Sequence, residues 1–364
     1  MKPPVNTYAL IMAGGVGSRF WPASREVLPK QFLDMMGVGK SLLRLTYERF
    51  LDTCKPEHIY VLTHEKYLDL VLAHLPEMTA EQVITEPSRN NTAPCIAYAS
   101  TKLHQLDPES VLVVSPADHV ILQPAVFTEV IAKATQFTAQ TPGIVTIGIH
   151  PSRPDTGYGY IRMGEAVTTG KHAVHQVLAF TEKPDRSRAE AYLTSGDYVW
   201  NAGLFVFQAG YMESAFRELA PEIYQHLNPQ VIPYNTPDEK EAILKHYPRT
   251  PSISVDYAIM EKSAATYTIP ADFGWSDLGT WASLYAERSR SQEENVLDAE
   301  LLDLEEVSKC LIRLPAGKLG VIRGLTDYLV IDEGDVLLIY PKNKEQEIKA
   351  VTQRLKAGDL EGFL

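Results

Sequence analysis

The sequence is poor in cysteine and has no long apolar run. Its 364 residues include three cysteines, Cys54, Cys95 and Cys310, which are far apart and odd in number. This spacing indicates neither a disulfide framework nor a zinc site. No apolar stretch reaches the length of a membrane helix, and Tyr8 to Ala13 is too short for the apolar region of a signal peptide. We therefore expect a reduced, cytoplasmic protein with no membrane partner.

Positive charge is also scarce. The chain has 34 Lys and Arg against 46 Asp and Glu, a formal net charge of −12. Nucleic acid and anionic lipid both require basic patches, so this balance disfavours both as partners. One phosphate site remains compatible, because a few main-chain N–H groups and cations suffice for it. The length and the apolar content of 45% are typical of a globular enzyme with two domains, or one domain with an appendage.

Short apolar runs alternate with helical patterns in the first part of the chain. The strand patterns lie at residues 8–12, 58–62, 82–85, 111–115 and 143–149. This alternation predicts an α/β fold with a Rossmann-like, mostly parallel sheet. Ligands bind beyond the carboxyl ends of such strands, so the loops at 13–30, 86–92 and 116–119 should share one edge.

After about residue 292 the pattern changes to short strands punctuated by Gly and Asp, with a closing helix near 344–356. We therefore predict one domain at 1–292, divided near residue 150, and a small β-rich domain with its closing helix at 293–364.

A glycine-rich segment, MAGGVGSRFWPASREVLPK, runs from Met12 to Lys30 after the first strand. It fails the dinucleotide fingerprint G-x-G-x-x-G, because Phe20 occupies the third glycine position. A second candidate, the Walker A tail Gly39-Lys40-Ser41, lacks its leading glycine and a preceding strand. We interpret Ser41 as a helix N-cap.

The chemistry of this glycine loop (residues 13–30) nevertheless suits a phosphate. Gly14, Gly15 and Gly17 can take positive φ, and their N–H groups can form an anion nest. Arg19 adds a planar bidentate donor and Lys30 a compact charge, which together suit the charge developing on a polyphosphate. The alternative is a plain glycine turn with exposed Arg and Lys, which the spacing of the whole segment disfavours.

The spacing G-G-x-G-x-R-x-x-P…P-K resembles the signature of the sugar-phosphate nucleotidylyltransferases, and the fuller text is similar to their mannose-1-phosphate guanylyltransferase branch. Phe20 and Ala23 stand where that branch usually has leucine, and we expect neither to touch the chemistry. The resemblance implies a nucleotide-binding set of Ala13, Gly14, Gly15, Gly17, Ser18, Arg19, Glu86, Asn91, Thr92 and Asp118.

The segment EPSRNNTAP, from Glu86 to Pro94, resembles the base-binding segment of that branch. Asn90 departs from it, standing where Arg or Lys is usual. Amide and hydroxyl groups here could read a purine edge. From the residues alone, a helix cap at Asn91 or Thr92 is the favoured interpretation.

Two aspartates are predicted to hold Mg²⁺. Asp118 in SPADH follows a buried strand, and Asp277 in GWSDLGTW resembles the segment with the second metal ligand. Carboxylate and phosphate oxygens suit this hard cation. A lone aspartate at a strand end is more often a cap or turn residue, and the resemblance reverses that preference for both.

Three further segments resemble the sugar-phosphate site of the family. FTEKP implies that Lys183 binds the sugar 1-phosphate and that Glu182 accepts from sugar hydroxyls. WNAGLF implies a sugar contact by Asn201, and GYGY implies that Gly159 packs against the hexose. The tail from Gly324 onward resembles a short left-handed β-helix turn with a closing helix, which supports dimer contacts in the family.

The resemblance implies that the protein transfers a guanylyl group from GTP to mannose 1-phosphate, giving GDP-mannose and diphosphate. Residues 1–292 become a nucleotidyltransferase domain, with nucleotide-binding residues in 8–150 and the sugar-phosphate part in 151–292. The catalytic residues are Arg19, Lys30 and Lys183, the cofactor is Mg²⁺, and a homodimer is expected. Three alternatives stay open: another sugar 1-phosphate such as glucose or manno-heptose, another nucleoside triphosphate, or a non-catalytic relative that binds the nucleotide sugar.

Overall fold

The structure is a computed structural model that describes residues 6–289, 291 and 294–364. The α-helices are α1 (Leu42–Phe50), α2 (Leu68–His74), α3 (Thr92–Leu106), α4 (Pro124–Thr138), α5 (Arg186–Ser195), α6 (Ala209–Leu219), α7 (Pro221–Leu227), α8 (Glu239–His246), α9 (Trp281–Arg288) and α10 (Ile348–Ala357). The strands are β1 (Thr7–Met12), β2 (Ile59–His64), β3 (Val83–Glu86), β4 (Val111–Pro116), β5 (Val120–Ile121), β6 (Ile144–Ile149), β7 (Tyr160–Ala166), β8 (His175–Thr181), β9 (Tyr198–Gln208), β10 (Thr266–Ala271), β11 (Trp275–Ser276), β12 (Val296–Asp298), β13 (Leu301–Glu305), β14 (Leu311–Arg313), β15 (Leu319–Arg323), β16 (Tyr328–Asp332) and β17 (Leu337–Pro341).

The described chain divides into two compact units that are not continuous in sequence. The first unit contains residues 6–14, Thr46–Ala117 and Ile121–Trp275. The second contains Gly15–Leu45, Asp118–Val120 and the described residues from Ser276 onward. Most of the glycine loop therefore belongs to the same unit as the C-terminal part of the chain. The domain boundary predicted at 292/293 lies outside the described residues.

The first unit is built on a nine-stranded sheet of order β3-β2-β1-β4-β9-β6-β10-β8-β7. The four strands β3, β2, β1 and β4 are parallel, so their carboxyl ends lie at one edge, as the sequence predicts. Beyond β4 the sheet is mixed, because β6 and β10 pair in parallel while β9 and β8 run in the opposite direction. Strand β9 lies antiparallel between β4 and β6, and β7 and β8 also pair antiparallel. The sheet is therefore mixed. The sequence does not predict this, because an apolar run does not reveal the direction of its strand.

The C-terminal segment (residues 294–364) forms two small sheets in the second unit. Strands β12, β14 and β16 are parallel in one sheet, which β17 extends antiparallel, and β13 and β15 are parallel in the other. Successive strands up to β16 thus alternate between the two sheets. The helix α10 then closes the segment, shorter at its start than predicted, because Lys342–Glu347 is a 3₁₀ turn.

A single apolar core joins the two parts of the second unit. Its buried members from the early chain include Phe20, Trp21 and Leu33, and those from the C-terminal segment include Leu329 and Ile331. Burying large apolar side chains contributes about 1.5–3 kcal/mol each. The conformation of residues 15–45 therefore depends on residues more than 250 positions later in the chain.

The remaining expectations on local structure and membranes have direct outcomes. Ser41 caps α1, because its Oγ accepts the Arg44 N–H at 3.2 Å. Among the described residues, no helix has both the length and the apolar character required to cross a membrane.

The shared core generates a prediction for stability. Ile331 is fully buried, so we expect Ile331→Ala to lower the free energy of unfolding by about 2–5 kcal/mol through lost burial and a cavity. Ile339, on the neighbouring strand β17, is 52% exposed, and Ile339→Ala should cost less than about 1 kcal/mol. Denaturant unfolding of both variants measures the difference, and equal losses would contradict the assigned core.

Candidate active site

A buried lysine organises the charged residues of the second unit. Lys30 is only 3% exposed, and its Nζ donates to Asp118 Oδ2 at 3.0 Å and to the main-chain O of Asp277 at 2.8 Å. Burying an ammonium is costly unless it is paired and hydrogen-bonded, and these two acceptors supply the pairing. The predicted residues Lys30, Asp118 and Asp277 therefore meet at one nitrogen.

Gly17 is the glycine that this arrangement requires. Its φ is 68°, in the left-handed region, and an added Cβ would lie 2.6 Å from Lys30 Cβ. The expectation of positive φ is confirmed for Gly17 and is wrong for Gly14 and Gly15, which are not left-handed. An added Cβ at Gly15 would meet nothing within 4 Å, which leaves an open approach to its main chain.

Arg19 follows directly, in a 3₁₀ turn from Ser18 to Phe20. Its side chain is exposed, and Nη1 donates to the main-chain O of Gly279 at 3.3 Å. That contact joins the glycine loop to the segment carrying Asp277. An exposed guanidinium held at one nitrogen keeps further N–H donors for a ligand.

Phe20 lies closer to the chemistry than the sequence comparison predicts. Its buried ring packs edge to face on Trp281, with centroids 5.0 Å apart, and Lys30 Nζ lies 5.4 Å from its centroid. An ammonium at this distance is attracted by the ring. The expectation that Phe20 does not touch the site is therefore wrong, whereas Ala23 is simply buried.

Asp118 is held as a carboxylate. Burial acts to raise its pKa, but attraction by Lys30 and His119, together with the Lys30 hydrogen bond, outweighs burial and leaves the pKa below its usual range. Asp118 is consequently ionised at neutral pH. An ionised carboxylate is the form that binds a cation or orients an ammonium.

Asp277 lies just before a well-capped helix. Its Oδ1 accepts the Gly279 N–H at 3.1 Å. Thr280 then caps α9, since its Oγ1 accepts the Ser283 N–H at 3.1 Å and Ser283 Oγ accepts the Thr280 N–H at 2.9 Å. This reciprocal cap fixes the backbone from which Asp277 projects.

The two aspartates, Asp118 and Asp277, are the predicted ligands of Mg²⁺. Within the described ranges, no group of three or more His, Cys, Asp or Glu side chains is arranged to hold a metal ion. Magnesium is commonly bound by one or two carboxylates completed by substrate phosphates and water. Asp118 meets Lys30 Nζ with a carboxylate oxygen and Asp277 with its main-chain oxygen, so two residues that carry carboxylates are brought to one ammonium.

In the first unit, Glu86 ends β3 at the edge shared with β1. It is 7% exposed, accepts a hydrogen bond from the Tyr247 hydroxyl, and lies 3.9 Å from a Cβ built on Gly14. Burial raises the pKa of Glu86 to about 7, against the opposing hydrogen bonds of Tyr247 and Cys95. Ala13 extends β1, because its N–H donates to Leu62 O at 2.7 Å.

The side chains that follow Glu86 form hydrogen bonds within the protein. Asn90 is buried and its Nδ2 donates to Thr250 O at 2.8 Å and to Tyr247 O at 3.2 Å, so it anchors this segment. Asn91 has φ 68° and its Oδ1 accepts the Thr92 N–H at 2.8 Å, which confirms the predicted cap of α3. Thr92 Oγ1 accepts the Val255 N–H at 2.9 Å.

Glu182 belongs to a second polar cluster, which lies in the first unit. A Cβ added to Gly159 would lie 2.5 Å from Glu182 Oε2, so a larger residue here would have to displace this carboxylate. Glu182 Oε2 is buried and has no hydrogen-bond partner, and neither has the nearby buried indole nitrogen of Trp200. Buried polar atoms of this kind usually have a partner, which a bound hydroxylated ligand would supply.

Lys183 and Asn201 complete this cluster with a residue that sequence reasoning missed. Lys183 Nζ pairs with Glu182, and Asn201 Nδ2 donates to Asp256 Oδ1 at 3.0 Å. Burial and repulsion by Glu182 raise the pKa of Asp256 to about 6. Asp256 begins a π-helix, Asp256–Met260, whose start leaves no periodic signal in the sequence.

One cluster combines loop glycines with cations and carboxylates, which suits a polyphosphate, and the other contains polar residues suited to hydroxyls. Residues 8–294 match the family described as "Nucleotidyl transferase". The chain belongs to the nucleotidyl transferase family and is an enzyme.

The chain is also similar to individual proteins, whose names are more specific than that of the family. The chain is 36% identical to a mannose-1-phosphate guanylyltransferase of Klebsiella pneumoniae over 353 residues, 95% of this chain and 73% of that protein. It is 35% identical to a protein of the same name from Escherichia coli K12, covering 96% and 73%. A crystal structure described as a mannose-1-phosphate geranyltransferase from Thermus thermophilus superposes with a TM-score of 0.82, at 30% identity over 96% of this chain and 99% of that one.

The contact between Gly17 and Lys30 generates a prediction. We expect Gly17→Ala to reduce turnover by about 10-fold or more, because a 2.6 Å approach must displace Lys30 and misplaced groups cost steeply. Gly39→Ala is the matched control, since Gly39 has φ 77° and its added Cβ meets nothing within 4 Å. Steady-state turnover distinguishes the two; equal losses would mean that backbone strain, and not Lys30, causes the defect.

Glu86 generates a pH prediction. Its pKa rises from 4.5 to about 7 on folding, so the folded protein holds this proton more tightly than the unfolded chain. The free energy of unfolding should therefore fall by about 3 kcal/mol as pH rises from about 4.5 to about 7. Glu86→Gln removes the titration while keeping an acceptor for Tyr247. Denaturant unfolding across this range should show a steeper decline in the parent protein than in the variant; parallel curves would contradict the buried carboxyl.

Proposed function

We propose that this chain transfers a guanylyl group from GTP to α-D-mannose 1-phosphate, producing GDP-mannose and diphosphate. The observation that carries the proposal is the meeting of Lys30, Asp118 and Asp277 in the second unit. The names of the relatives that share 35% or 36% identity supply the substrates.

The proposed reaction is a single displacement. An oxygen of the sugar phosphate attacks the α-phosphorus of GTP, the new P–O bond forms, and the bond to the β-phosphate oxygen breaks on the opposite side. Diphosphate leaves with the electron pair. Catalysis of this kind depends on positioning and charge neutralisation and needs no protein nucleophile.

Within this mechanism the cations have separate roles. Arg19 and Lys30 stabilise the charge on the leaving diphosphate, and Gly14, Gly15, Gly17 and Ser18 offer main-chain N–H groups to the phosphates. The exposed guanidinium of Arg19 supports its role, because it has donors left after the Gly279 contact. Lys30 also holds the orientation of Asp118.

Asp118 and Asp277 are the residues that would hold Mg²⁺. When bound, the ion would supply positive charge that neutralises the phosphates. Asp118 is suited to this role because its depressed pKa keeps it ionised. Lys30, between the two residues, keeps them oriented.

The polar cluster of the first unit is proposed to bind the sugar phosphate. Lys183 would hold the attacking phosphate, Glu182 and Asn201 would bond sugar hydroxyls, and Gly159 would face the hexose. The unpartnered Oε2 of Glu182 supports this assignment. The anchoring of Asn90, Asn91 and Thr92 supports a rigid segment beside Glu86, in which Glu86 and the Asn91 amide would meet the base.

Further parts of the proposal concern organisation. Residues 1–292 would be the catalytic domain and 293–364 a short β-helix-like domain, supported by the alternation of strands between two sheets. A homodimer and a cytoplasmic location are also proposed. The alternatives remain another sugar 1-phosphate, another nucleotide, or a regulatory protein that binds the nucleotide sugar. The regulatory alternative is disfavoured by the presence of Arg19, Lys30, Asp118, Lys183 and Asp277.

Arg19 provides a direct test of the mechanism. We expect Arg19→Ala to lower turnover by about 100- to 1,000-fold, as loss of a donor to developing charge does. Unfolding should change little, because the side chain is exposed. Arg323→Ala, an exposed arginine on β15, is the control and should keep full turnover. Full activity of Arg19→Ala would overturn the assigned role.

Diphosphate release with Mg²⁺ tests the proposed function. GTP, ATP, UTP and dTTP are crossed against mannose, glucose and manno-heptose 1-phosphates. Release confined to GTP with mannose 1-phosphate is expected. Release with another pair would move the specificity, and no release alongside GDP-mannose binding would indicate the regulatory alternative.

A further inference from the structure

The C-terminal segment contacts the glycine loop through several polar bonds in addition to the shared core. Trp21 Nε1 donates to the main-chain O of Phe363 at 2.7 Å. Arg25 forms a bidentate pair with Asp335, with both N–O distances 2.6 Å. Trp21 and Arg25 lie on either side of Pro22, and both follow Arg19 in the chain. The segment that holds Arg19 is thus fixed from its C-terminal side by residues of the tail.

Glu345 brings the same segment to the residues around Arg19. It lies in the 3₁₀ turn before α10, is half-buried, and accepts the Ala282 N–H at 2.6 Å. Ala282 is in the first turn of α9, two residues after Thr280 and three after Gly279, whose carbonyl receives the Arg19 guanidinium. A carboxylate at this position also complements the helix dipole.

The charge of Glu345 reaches Arg19. Burial raises the pKa of Glu345, while the Ala282 N–H, the Thr280 hydroxyl and the positive charges of Arg19 and Lys342 act to lower it. Arg19 and Glu345 therefore attract each other. The Gly279 carbonyl holds one guanidinium nitrogen of Arg19 by a hydrogen bond, and the nearby negative charge of Glu345 adds an attraction.

We propose that Glu345 is a positioning residue of the phosphate site, and that the C-terminal segment acts through it to aim Arg19 at the diphosphate. This rests on the proposed function, in which Arg19 stabilises the leaving group. A cap on α9 alone would require the acceptor oxygen of Glu345, whereas the positioning role requires its negative charge.

A double-mutant cycle separates these two roles. Glu345→Gln keeps an oxygen to accept the Ala282 N–H and removes the charge. We expect it to lower kcat by about 3- to 30-fold, the size of coupling between neighbouring groups, with little change in KM for the sugar phosphate. In the Arg19→Ala background the same substitution should have no further effect. A drop of equal size in both backgrounds, or no drop in the parent, would overturn the proposal.

Glu347→Gln is the matched control, because Glu347 lies in the same 3₁₀ turn but contacts the Tyr340 hydroxyl. Turnover should be unchanged in this variant.

A readout independent of activity keeps this test separate from that of the proposed function. Limited trypsin digestion, followed by mass spectrometry, reports how firmly the bond after Arg19 is held. Glu345→Gln, which keeps an acceptor for the Ala282 N–H, should speed this cleavage, and Glu347→Gln should not. If the parent protein releases no diphosphate with any substrate pair, the proposed function fails, and the digestion still decides whether Glu345 holds Arg19. Equal cleavage in Glu345→Gln and the parent would then contradict the positioning role.

Discussion

The ammonium of Lys30 is the interaction on which the candidate phosphate site depends. Removed from water, it requires acceptors, and it finds them in the Asp118 carboxylate and the Asp277 carbonyl. The Lys30 side chain requires a glycine at 17, where an added methyl group would collide with Lys30 Cβ, and the Phe20 ring lies 5.4 Å from Lys30 Nζ. One buried charge therefore links the glycine loop to two distant aspartates and determines which side chains are tolerated around it.

The second consequence of the fold is that the glycine loop is not stabilised by its neighbours in sequence. Phe20, Trp21 and Leu33 are buried with residues of the C-terminal segment, including Ile331 and Ile348. A segment that would otherwise be an appendage thus contributes the core on which residues 15–45 fold. In the proposed reaction, which relies on positioned charges, such a core would restrict where Arg19 and Lys30 can lie.

Much of the fold could be predicted from local signals, and much of the site from motif spacing. The apolar run at β1, the cap at Asn91 and the glycine at 17 express constraints within a few residues, so sequence patterns report them. The antiparallel insertion of β9 and the approach of Asp256 to Asn201 depend on long-range pairing, which local patterns do not encode. The contact between Phe20 and Lys30 is not predictable from the sequence, because it depends on the packing of Phe20 against Trp281.

In the proposed reaction the enzyme joins two phosphates directly, with fixed charges and without a covalent enzyme intermediate. The most direct measurement is the stereochemical course at the α-phosphorus, followed by ³¹P NMR with one diastereomer of GTP carrying sulfur on that phosphorus. A single in-line displacement predicts inversion of configuration in the nucleotide sugar. Retention would indicate two successive displacements through a protein nucleophile and would contradict the account.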